Sequence, residues 1–269
     1  MKHLRVDDYD MAYIDIGAGP PLVCIHGSLN DYRIWSPVLG PLTRKRRVIA
    51  PSLRRFFPEH WDGHGPGFTI ARHVADTIQF IAGLGLGPVD LMGHSRGAHI
   101  AFRVAQQRPE LIRRLILAEP GGALDPSLDP DGEAARMPQL REAFTAAAKH
   151  IEAGDIDRGL EAFFDAEAGP GAWRAFPEMV KQPLRDNART MLGQVNEGRP
   201  PFTRADAEAV KTPTLLILGS ETTGILRLVL RVLAKHMPNA RTALIPNTAH
   251  YMLEQDPAGY CAAVEAFLA

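Results

Sequence analysis

The sequence predicts an α/β fold, in which a mostly parallel, doubly covered sheet of about eight strands carries a helical cap inserted after the sixth strand. Two observations lead to this prediction. Short apolar runs typical of buried parallel strands alternate along the chain with segments of helical periodicity. These strand-like runs then stop near position 123 and resume near position 211, which indicates an insertion.

The individual elements follow from two kinds of apolar pattern. Residues 22–25 are an uninterrupted apolar run, as in a buried parallel strand, whereas residues 11–16 alternate like a half-buried strand. Val74, Ile78 and Ile81 are spaced as on one face of a helix. The clearest predicted strands are 11–16, 22–25, 47–50, 89–92, 115–118, 214–218 and 241–245, and the predicted core helices are 31–42, 68–84, 98–107, 225–236 and 257–268.

Residues 123–210 differ in composition from the rest of the chain. They are rich in Ala, Glu and Arg, with scattered Pro and Gly and no buried-strand run, so we predict several short helices and no strands. The chain therefore divides into an α/β core, residues 1–122 and 211–269, and a helical cap, residues 123–210. Ligands of open α/β sheets bind at the carboxyl ends of the strands, and we expect the cap to cover that edge.

Composition and charge exclude several classes of function. The 269 residues carry 30 Lys and Arg against 31 Asp and Glu, so no basic bias favours nucleic acid or an anionic membrane. No stretch approaches the roughly 18 uncharged apolar residues of a membrane span, and the first residues do not resemble a secretory signal. We therefore expect a cytoplasmic chain without nucleic-acid or membrane partners, and both a monomer and a homodimer fit this composition. Cys24 lies in a strand run and is predicted to be a buried free thiol.

The chemistry centres on residues 89–97, V-D-L-M-G-H-S-R-G. A short apolar run ends in this glycine-flanked serine, and a helical pattern follows at once. Glycines on both flanks permit a turn so sharp that a side chain there would clash, and the turn exposes the serine hydroxyl. Ser95 is therefore predicted to be a nucleophile; the alternative is a glycine-rich turn with an idle serine.

Ser95 needs a base and a site for the negative charge that its attack creates. A serine hydroxyl is a weak nucleophile until a base removes its proton. His250 is the best-placed histidine, because it lies in the loop after the last predicted strand, late in the chain. A tetrahedral intermediate needs two N–H donors, and we predict the backbone N–H groups of Arg96 and Ser28. His94 is predicted to pack or to form a pocket wall.

These motifs, taken in order, resemble the α/β-hydrolase fold superfamily over essentially the whole chain. The motifs that carry the resemblance are His26-Gly27-Ser28, Gly93-His94-Ser95-Arg96-Gly97 and His250. The resemblance implies Ser95 as nucleophile, His250 as base, and the backbone N–H groups of Ser28 and Arg96 as the oxyanion hole. Haloalkane dehalogenases and epoxide hydrolases of this fold carry aspartate at the elbow, so serine there implies acyl transfer to water.

The acid is the member at which the chain departs from the common pattern. In most relatives it follows the strand after the cap, at the position of Thr222 in this chain, which cannot carry a negative charge. Glu119 ends the run 115–118, and some dehalogenases and lactone hydrolases are similar in placing the acid there. Glu221 lies one residue before the usual position. The acid must accept a hydrogen bond from Nδ1 of the histidine. We predict Glu119, with Glu221 as the alternative.

Residues in loops near the predicted active edge are candidates for a substrate pocket. They are Trp35, Arg54, Phe56 and His94. The aromatic rings fit an apolar pocket, although packing in the core or the cap explains them equally well. Arg54 is placed to meet an anionic substrate group. His60 and His64 lie in a glycine-rich loop without a further ligand cluster, so we expect no metal and no cofactor.

The sequence therefore predicts a serine hydrolase that cleaves a small carboxylic ester or related acyl compound through an acyl-enzyme. A C–C bond hydrolase or a lactonase with the same triad is the alternative among enzymes. A non-catalytic ligand-binding protein of the same fold is a third reading, disfavoured because nucleophile, base and oxyanion glycines occur together. The expected partner is a small-molecule acyl substrate, whose identity the motifs leave open.

Overall fold

The computed structural model describes residues 1–137 and 140–269, and an eight-stranded sheet forms its centre. The strands are β1 (Lys2–Val6), β2 (Tyr9–Ile16), β3 (Pro21–Ile25), β4 (Arg47–Pro51), β5 (Val89–His94), β6 (Ile112–Ala118), β7 (Thr214–Gly219) and β8 (Ala240–Ile245). The helices are α1 (Ser36–Leu42), α2 (Ile70–Gly83), α3 (Arg96–Gln107), α4 (Leu140–Glu152), α5 (Ile156–Ala168), α6 (Ala172–Ala175), α7 (Glu178–Asp186), α8 (Thr190–Asn196), α9 (Arg204–Ala209), α10 (Gly224–His236), α11 (Met252–Gln255) and α12 (Pro257–Leu268). Short 3₁₀ segments lie at Tyr32–Trp35, Pro109–Leu111 and Ala134–Arg136.

The sheet is mostly parallel, as the sequence predicts. Its strand order is β1-β2-β4-β3-β5-β6-β7-β8, with β2 antiparallel to both of its neighbours and all pairs from β4 to β8 parallel. The carboxyl ends of β3, β5, β6 and β7 therefore meet at one edge. The patterns did not indicate β1, because this outermost strand is largely exposed and carries the polar residues Lys2, His3 and Arg5.

The two faces of the sheet pack against different helices. Leu22 and Cys24 of β3 belong to the core formed with α1 and α12, whereas Val23 and Ile25 belong to the core formed with α2, α3 and α10. Burial on both faces explains the uninterrupted apolar run in this strand. The helix predicted at 31–42 begins instead as a 3₁₀ turn, since Pro37 has no N–H with which to continue a helical ladder from that turn.

Six helices, α4 to α9, lie within the segment that the sequence assigns to a cap. The described part of 123–210 contains no strand and only one isolated bridge, between Leu124 and Phe202; positions 138 and 139 lie outside the described residues. Phe163, Phe164 and Trp173 lie in a third apolar cluster, which also takes in Leu29 from the loop after β3. The boundaries between core and cap stay a prediction. None of the described helices is both long and apolar enough to span a membrane.

Candidate active site

Ser95 occupies a sharp turn between β5 and α3. Its backbone angles are φ 54° and ψ −116°, which are rare for any residue except glycine. A Cβ on Gly93 would lie 2.3 Å from the carbonyl oxygen of Gly97, and a Cβ on Gly97 would lie 2.1 Å from that of Ile25. Both flanking glycines are therefore sterically required, and the strand–turn–helix geometry expected from the sequence is present.

His250 meets Glu119 at the same edge of the sheet. His250 lies in the loop after β8, and its Nδ1 is 2.6 Å from Oε2 of Glu119, the residue that follows β6. Glu119 is fully buried and has a positive φ of 45°. Strained backbone at a buried carboxylate is typical of functional sites. The structure thus brings together the histidine and the acid that the sequence favours.

The second oxygen of Glu119 is held by groups from the end of β7. The backbone N–H of Gly219 donates to Oε1 at 2.9 Å, and the Thr222 hydroxyl donates to the same oxygen. Burial raises the pKa of Glu119, but hydrogen bonds from His250, Thr222 and Gly219 outweigh burial, and the net pKa is lowered from its ordinary value. Thr222, at the usual position of the acid, therefore stabilises the charge of a carboxylate on the neighbouring strand.

The histidines around Ser95 differ in their readiness to accept a proton. Burial lowers the pKa of His250, but the hydrogen bond to Glu119 and the negative charge of Glu167 oppose burial, and the net pKa is raised above its ordinary value. Burial lowers the pKa of His94 to about 3 and that of His26 to about 4. Of these three, only His250 has the paired carboxylate that a general base requires.

Ser95 and His250 border one cavity of about 460 Å³ between the sheet edge and helices α4, α5 and α8. Apolar side chains contribute much of its wall, among them Phe144, Phe163 and Ile225. Within residues 1–137 and 140–269 no hydrogen bond joins the Ser95 hydroxyl to His250. Such contacts are often long in ligand-free enzymes and tighten when substrate binds.

Of the two expected oxyanion donors, Ser28 lines this cavity and Arg96 directly follows Ser95. Arg96 is the first residue of α3, so its N–H has no acceptor within the helix. Ser28 lines the cavity in the loop after β3. A Cβ on Gly27 would lie 3.2 Å from Cβ of Ser95, which shows how closely this loop passes the serine.

The structure corrects three of the four pocket candidates, because none of the three lines the cavity. Trp35 is fully buried in the core formed with α1 and α12. Phe56 is fully buried and packs edge-on against His26, with ring centroids 4.7 Å apart. Arg54 is buried and donates to Asp76 at 2.8 Å, so its charge is used within the fold. These three residues lie beside loops in the sequence but are buried in the fold, and the local sequence does not reveal that burial.

The structure places His94, but not Glu221, in the cavity wall. His94 lines the cavity, its Nε2 lies 2.9 Å from the carbonyl oxygen of His250, and the two rings lie 4.6 Å apart. Glu221 is exposed, and its backbone N–H donates to the carbonyl of Thr248. The carboxylate of Glu221 is not a partner of His250, so the structure corrects the alternative choice of acid.

Three residues that line the cavity were not predicted from the sequence: Gln194, Arg199 and Tyr251. Gln194 and Arg199 lie in and after α8, where no motif or periodicity marks them. Tyr251 directly follows His250, and its hydroxyl donates to Glu167 of α5 at 2.7 Å. Adjacency to His250 was the only available indication for Tyr251.

The chain belongs to the alpha/beta hydrolase family, whose model matches residues 22–263. Among curated relatives, it is 32% identical over 177 residues to a 2-hydroxy-6-oxo-2,4-heptadienoate hydrolase of Pseudomonas putida, a match that covers 63% of each chain. It is also 27% identical to a 2-hydroxymuconate semialdehyde hydrolase of Pseudomonas putida, over 95% of this chain and 89% of the relative.

Solved structures show the same fold at low sequence identity. An enol-lactonase from Burkholderia xenovorans LB400 superposes with a TM-score of 0.79 at 17% identity, covering 99% of both chains. A bromoperoxidase from Bacillus anthracis has a TM-score of 0.79 at 22% identity and covers 99% of this chain and 98% of its own. The family match and the two curated relatives, both named as hydrolases, support a hydrolase activity.

Proposed function

We propose that this hydrolase uses Ser95, His250 and Glu119 to cleave a small carboxylic ester or related acyl compound through an acyl-enzyme. One observation carries the proposal: Nδ1 of His250 lies 2.6 Å from the buried Glu119 carboxylate, at the cavity into which the strained turn delivers Ser95. A carboxylate on Nδ1 fixes the histidine tautomer that leaves Nε2 free to accept a proton.

Acylation follows from this arrangement. The Ser95 oxygen attacks the substrate carbonyl carbon while its proton passes to Nε2 of His250, a transfer that requires substrate binding to bring the two side chains into contact. The carbonyl oxygen becomes an oxyanion and accepts hydrogen bonds from the N–H groups of Arg96 and Ser28. Collapse of the intermediate breaks the bond to the leaving alcohol, which takes the proton from His250.

Deacylation repeats the sequence with water. His250 removes a proton from a water molecule, whose oxygen attacks the acyl carbon and forms a second oxyanion. The Ser95 oxygen then leaves and recovers its proton from His250, which releases a carboxylic acid. Water is the only co-reactant consumed, and Ser95 and His250 are regenerated.

A C–C bond hydrolase or a lactonase is the second candidate. It is supported by the two Pseudomonas putida relatives, whose names describe hydrolases of oxo-dienoate and semialdehyde compounds. In this reading the same serine attacks a ketone carbonyl, and a carbanion replaces the alcohol as leaving group. The residues of the cavity wall, rather than the triad, would determine whether the substrate is an ester or one of these other compounds.

Labelling with a fluorophosphonate tests the proposal directly. Wild-type protein should gain the mass of one probe at Ser95, because the activated serine oxygen attacks phosphorus as it attacks an acyl carbon. Ser95→Ala, checked for folding by circular dichroism, should not be labelled. Unlabelled folded wild type, or equal labelling of Ser95→Ala, would remove Ser95 from the mechanism. A panel of p-nitrophenyl esters, thioesters, lactones and ring-cleavage dienones then separates the two candidates.

A further inference from the structure

Glu197 and Arg199 line the cavity, and both belong to a charged cluster with the buried Arg96. Arg96 donates both terminal nitrogens of its guanidinium to the Glu197 carboxylate, and Nη2 of Arg199 donates to Oε1 of Glu197 at 3.0 Å. The side chains of Arg96 and Glu197 are buried, whereas 24% of the Arg199 side chain is accessible and lines the cavity. Two cations around one carboxylate leave one positive charge, which Arg199 presents to the cavity.

Arg199 keeps donors that the protein does not use. Among the described residues, the Glu197 carboxylate is its one hydrogen-bond acceptor, and Arg96 already occupies both oxygens of that carboxylate. Burial and the positive charge of Arg96 lower the pKa of Arg199 from its ordinary value, against the opposing effect of Glu197. A partly buried cation that is incompletely paired is costly, and a bound anion would relieve that cost.

Gln194 supplies a second unused donor to the same cavity. The Ser28 hydroxyl donates to Oε1 of Gln194 at 2.6 Å, which fixes the amide. Nε2 of Gln194 is buried and has no hydrogen-bond partner among residues 1–137 and 140–269. Buried polar groups normally have partners, so an unpaired amide N–H₂ at a cavity indicates a place for a ligand acceptor.

Arg199 also lies close to the reacting serine. A Cβ built on Gly121 would be 3.7 Å from Nη1 of Arg199 and 3.7 Å from Oγ of Ser95. The guanidinium and the serine hydroxyl therefore border the same methyl-sized position, which the glycine leaves open. A group bound by Arg199 would be only a few bonds away from a carbonyl attacked by Ser95.

We propose that Arg199 and Gln194 form an anion subsite, and that the substrate carries a carboxylate a few bonds from the carbonyl that Ser95 attacks. This inference rests on the proposed function and narrows its substrate class to monoanionic acyl compounds such as half-esters of short dicarboxylic acids. The aromatic wall formed by Phe144 and Phe163 takes the hydrocarbon part. Glu167, another carboxylate of the cavity wall, is engaged by the Tyr251 hydroxyl.

Two esters of matched shape test the subsite. Monoethyl succinate and ethyl 4-methylpentanoate differ in that a carboxylate replaces an isopropyl group, and ethanol release measures both. Wild type should have the higher kcat/KM for the half-ester. Arg199→Gln should lower the ratio of the two kcat/KM values by roughly 10- to 100-fold, the range of a lost charge-assisted hydrogen bond. Arg241→Gln removes the same charge from the exposed edge strand β8 and should leave the ratio unchanged.

A binding measurement separates failure of the subsite from failure of the hydrolase proposal. Ser95→Ala should bind monoethyl succinate in calorimetry, and adding Arg199→Gln should weaken that binding by a similar factor. If neither ester is hydrolysed but this Arg199-dependent binding is present, the subsite stands and the proposed function fails. If wild type hydrolyses both esters equally, or if Arg199→Gln leaves the ratio unchanged, the subsite is wrong. Should Ser95→Ala not fold, protection of wild type from fluorophosphonate by monoethyl succinate gives the same binding test.

Discussion

The carboxyl ends of β6 and β7 supply complementary halves of one hydrogen-bond arrangement. β6 is followed by Glu119, whose buried carboxylate contacts His250 at 2.6 Å. β7 ends in Gly219, and the N–H of that residue and the hydroxyl of Thr222 both donate to the other carboxylate oxygen. The end of β7 therefore holds a carboxylate without providing one.

This difference between the two strand ends indicates that His250 constrains where the carboxylate lies rather than which strand carries it. β6 and β7 are parallel neighbours, and the Glu119 N–H continues their pairing by donating to Ile217 at 3.1 Å. Side chains that leave the two strand ends can consequently reach the same point. Thr222 keeps a role at that point as a donor, which stabilises the charge of Glu119.

The largest expected effect comes from neutralising the carboxylate after β6, and neutralising the one after β7 is the comparison. Glu119→Gln should lower kcat by about 10⁴-fold, because an amide cannot fix the histidine tautomer or stabilise the imidazolium. Glu221→Gln, with an exposed side chain after β7, should leave kcat within about twofold, as is usual for a surface change. Turnover of any accepted ester by both variants, with folding checked by circular dichroism, gives the comparison. A large loss in Glu221→Gln alone would reverse the assignment of the acid.

A smaller effect is expected from moving the acid from β6 to β7. Thr222 and Glu119 are in hydrogen-bond contact, so an aspartate at position 222 lies within reach of the place that Glu119 vacates. Glu119→Ala combined with Thr222→Asp should recover kcat by roughly 10- to 100-fold over Glu119→Ala, a coupling of about 1.4–2.8 kcal/mol.

Thr222→Asp alone is the control for this transfer. It places two carboxylates in contact, which raises the pKa of one of them and should lower both stability and activity. Activity of the double variant no higher than that of Glu119→Ala would mean that the strand carrying the acid matters as well as its position.

The sequence predicts those parts of the site that depend on neighbouring residues. The glycines around Ser95 act through local sterics, and His250 follows from chain order. The choice of Glu119 over Glu221 could be predicted, because the usual position of the acid holds a threonine. The hydrogen bond between Thr222 and Glu119 could not be predicted, since it joins two strand ends that only the folded sheet brings together.

Less of the site could be predicted in residues 123–210 and in the loops, for a physical reason. Arg199 and Gln194 lie in irregular or short helical segments without periodicity, and their proposed role depends on which donors stay unpaired after folding. Trp35 and Phe56 are apolar residues near the active edge, and local sequence does not distinguish a pocket wall from the core beside it. Arg54 was expected to meet an anion and is instead paired with Asp76.

The smallest expected effect is a shift along the pH axis that reports the pairing of His250 with Glu119. Because Glu119 holds the net pKa of His250 above its ordinary value of about 6.5, kcat/KM should fall with decreasing pH along a limb centred above that value. Glu119→Gln should move this limb to lower pH, since burial then acts without its largest opposing partner. Profiles of kcat/KM for both proteins measure the shift.

Folding stability should respond in the opposite sense over the same range. A histidine whose pKa is raised on folding contributes stability that is complete below its unfolded pKa and is lost as pH rises through the folded one. Glu119, whose pKa is lowered on folding, contributes stability above its unfolded value that is lost only at acidic pH. As pH rises between these limits, the free energy of unfolding measured with urea should decrease while kcat/KM increases. The decrease should be smaller in Glu119→Gln. Stability and activity that rise together across the His250 limb would show that the titrating base is not paired with Glu119.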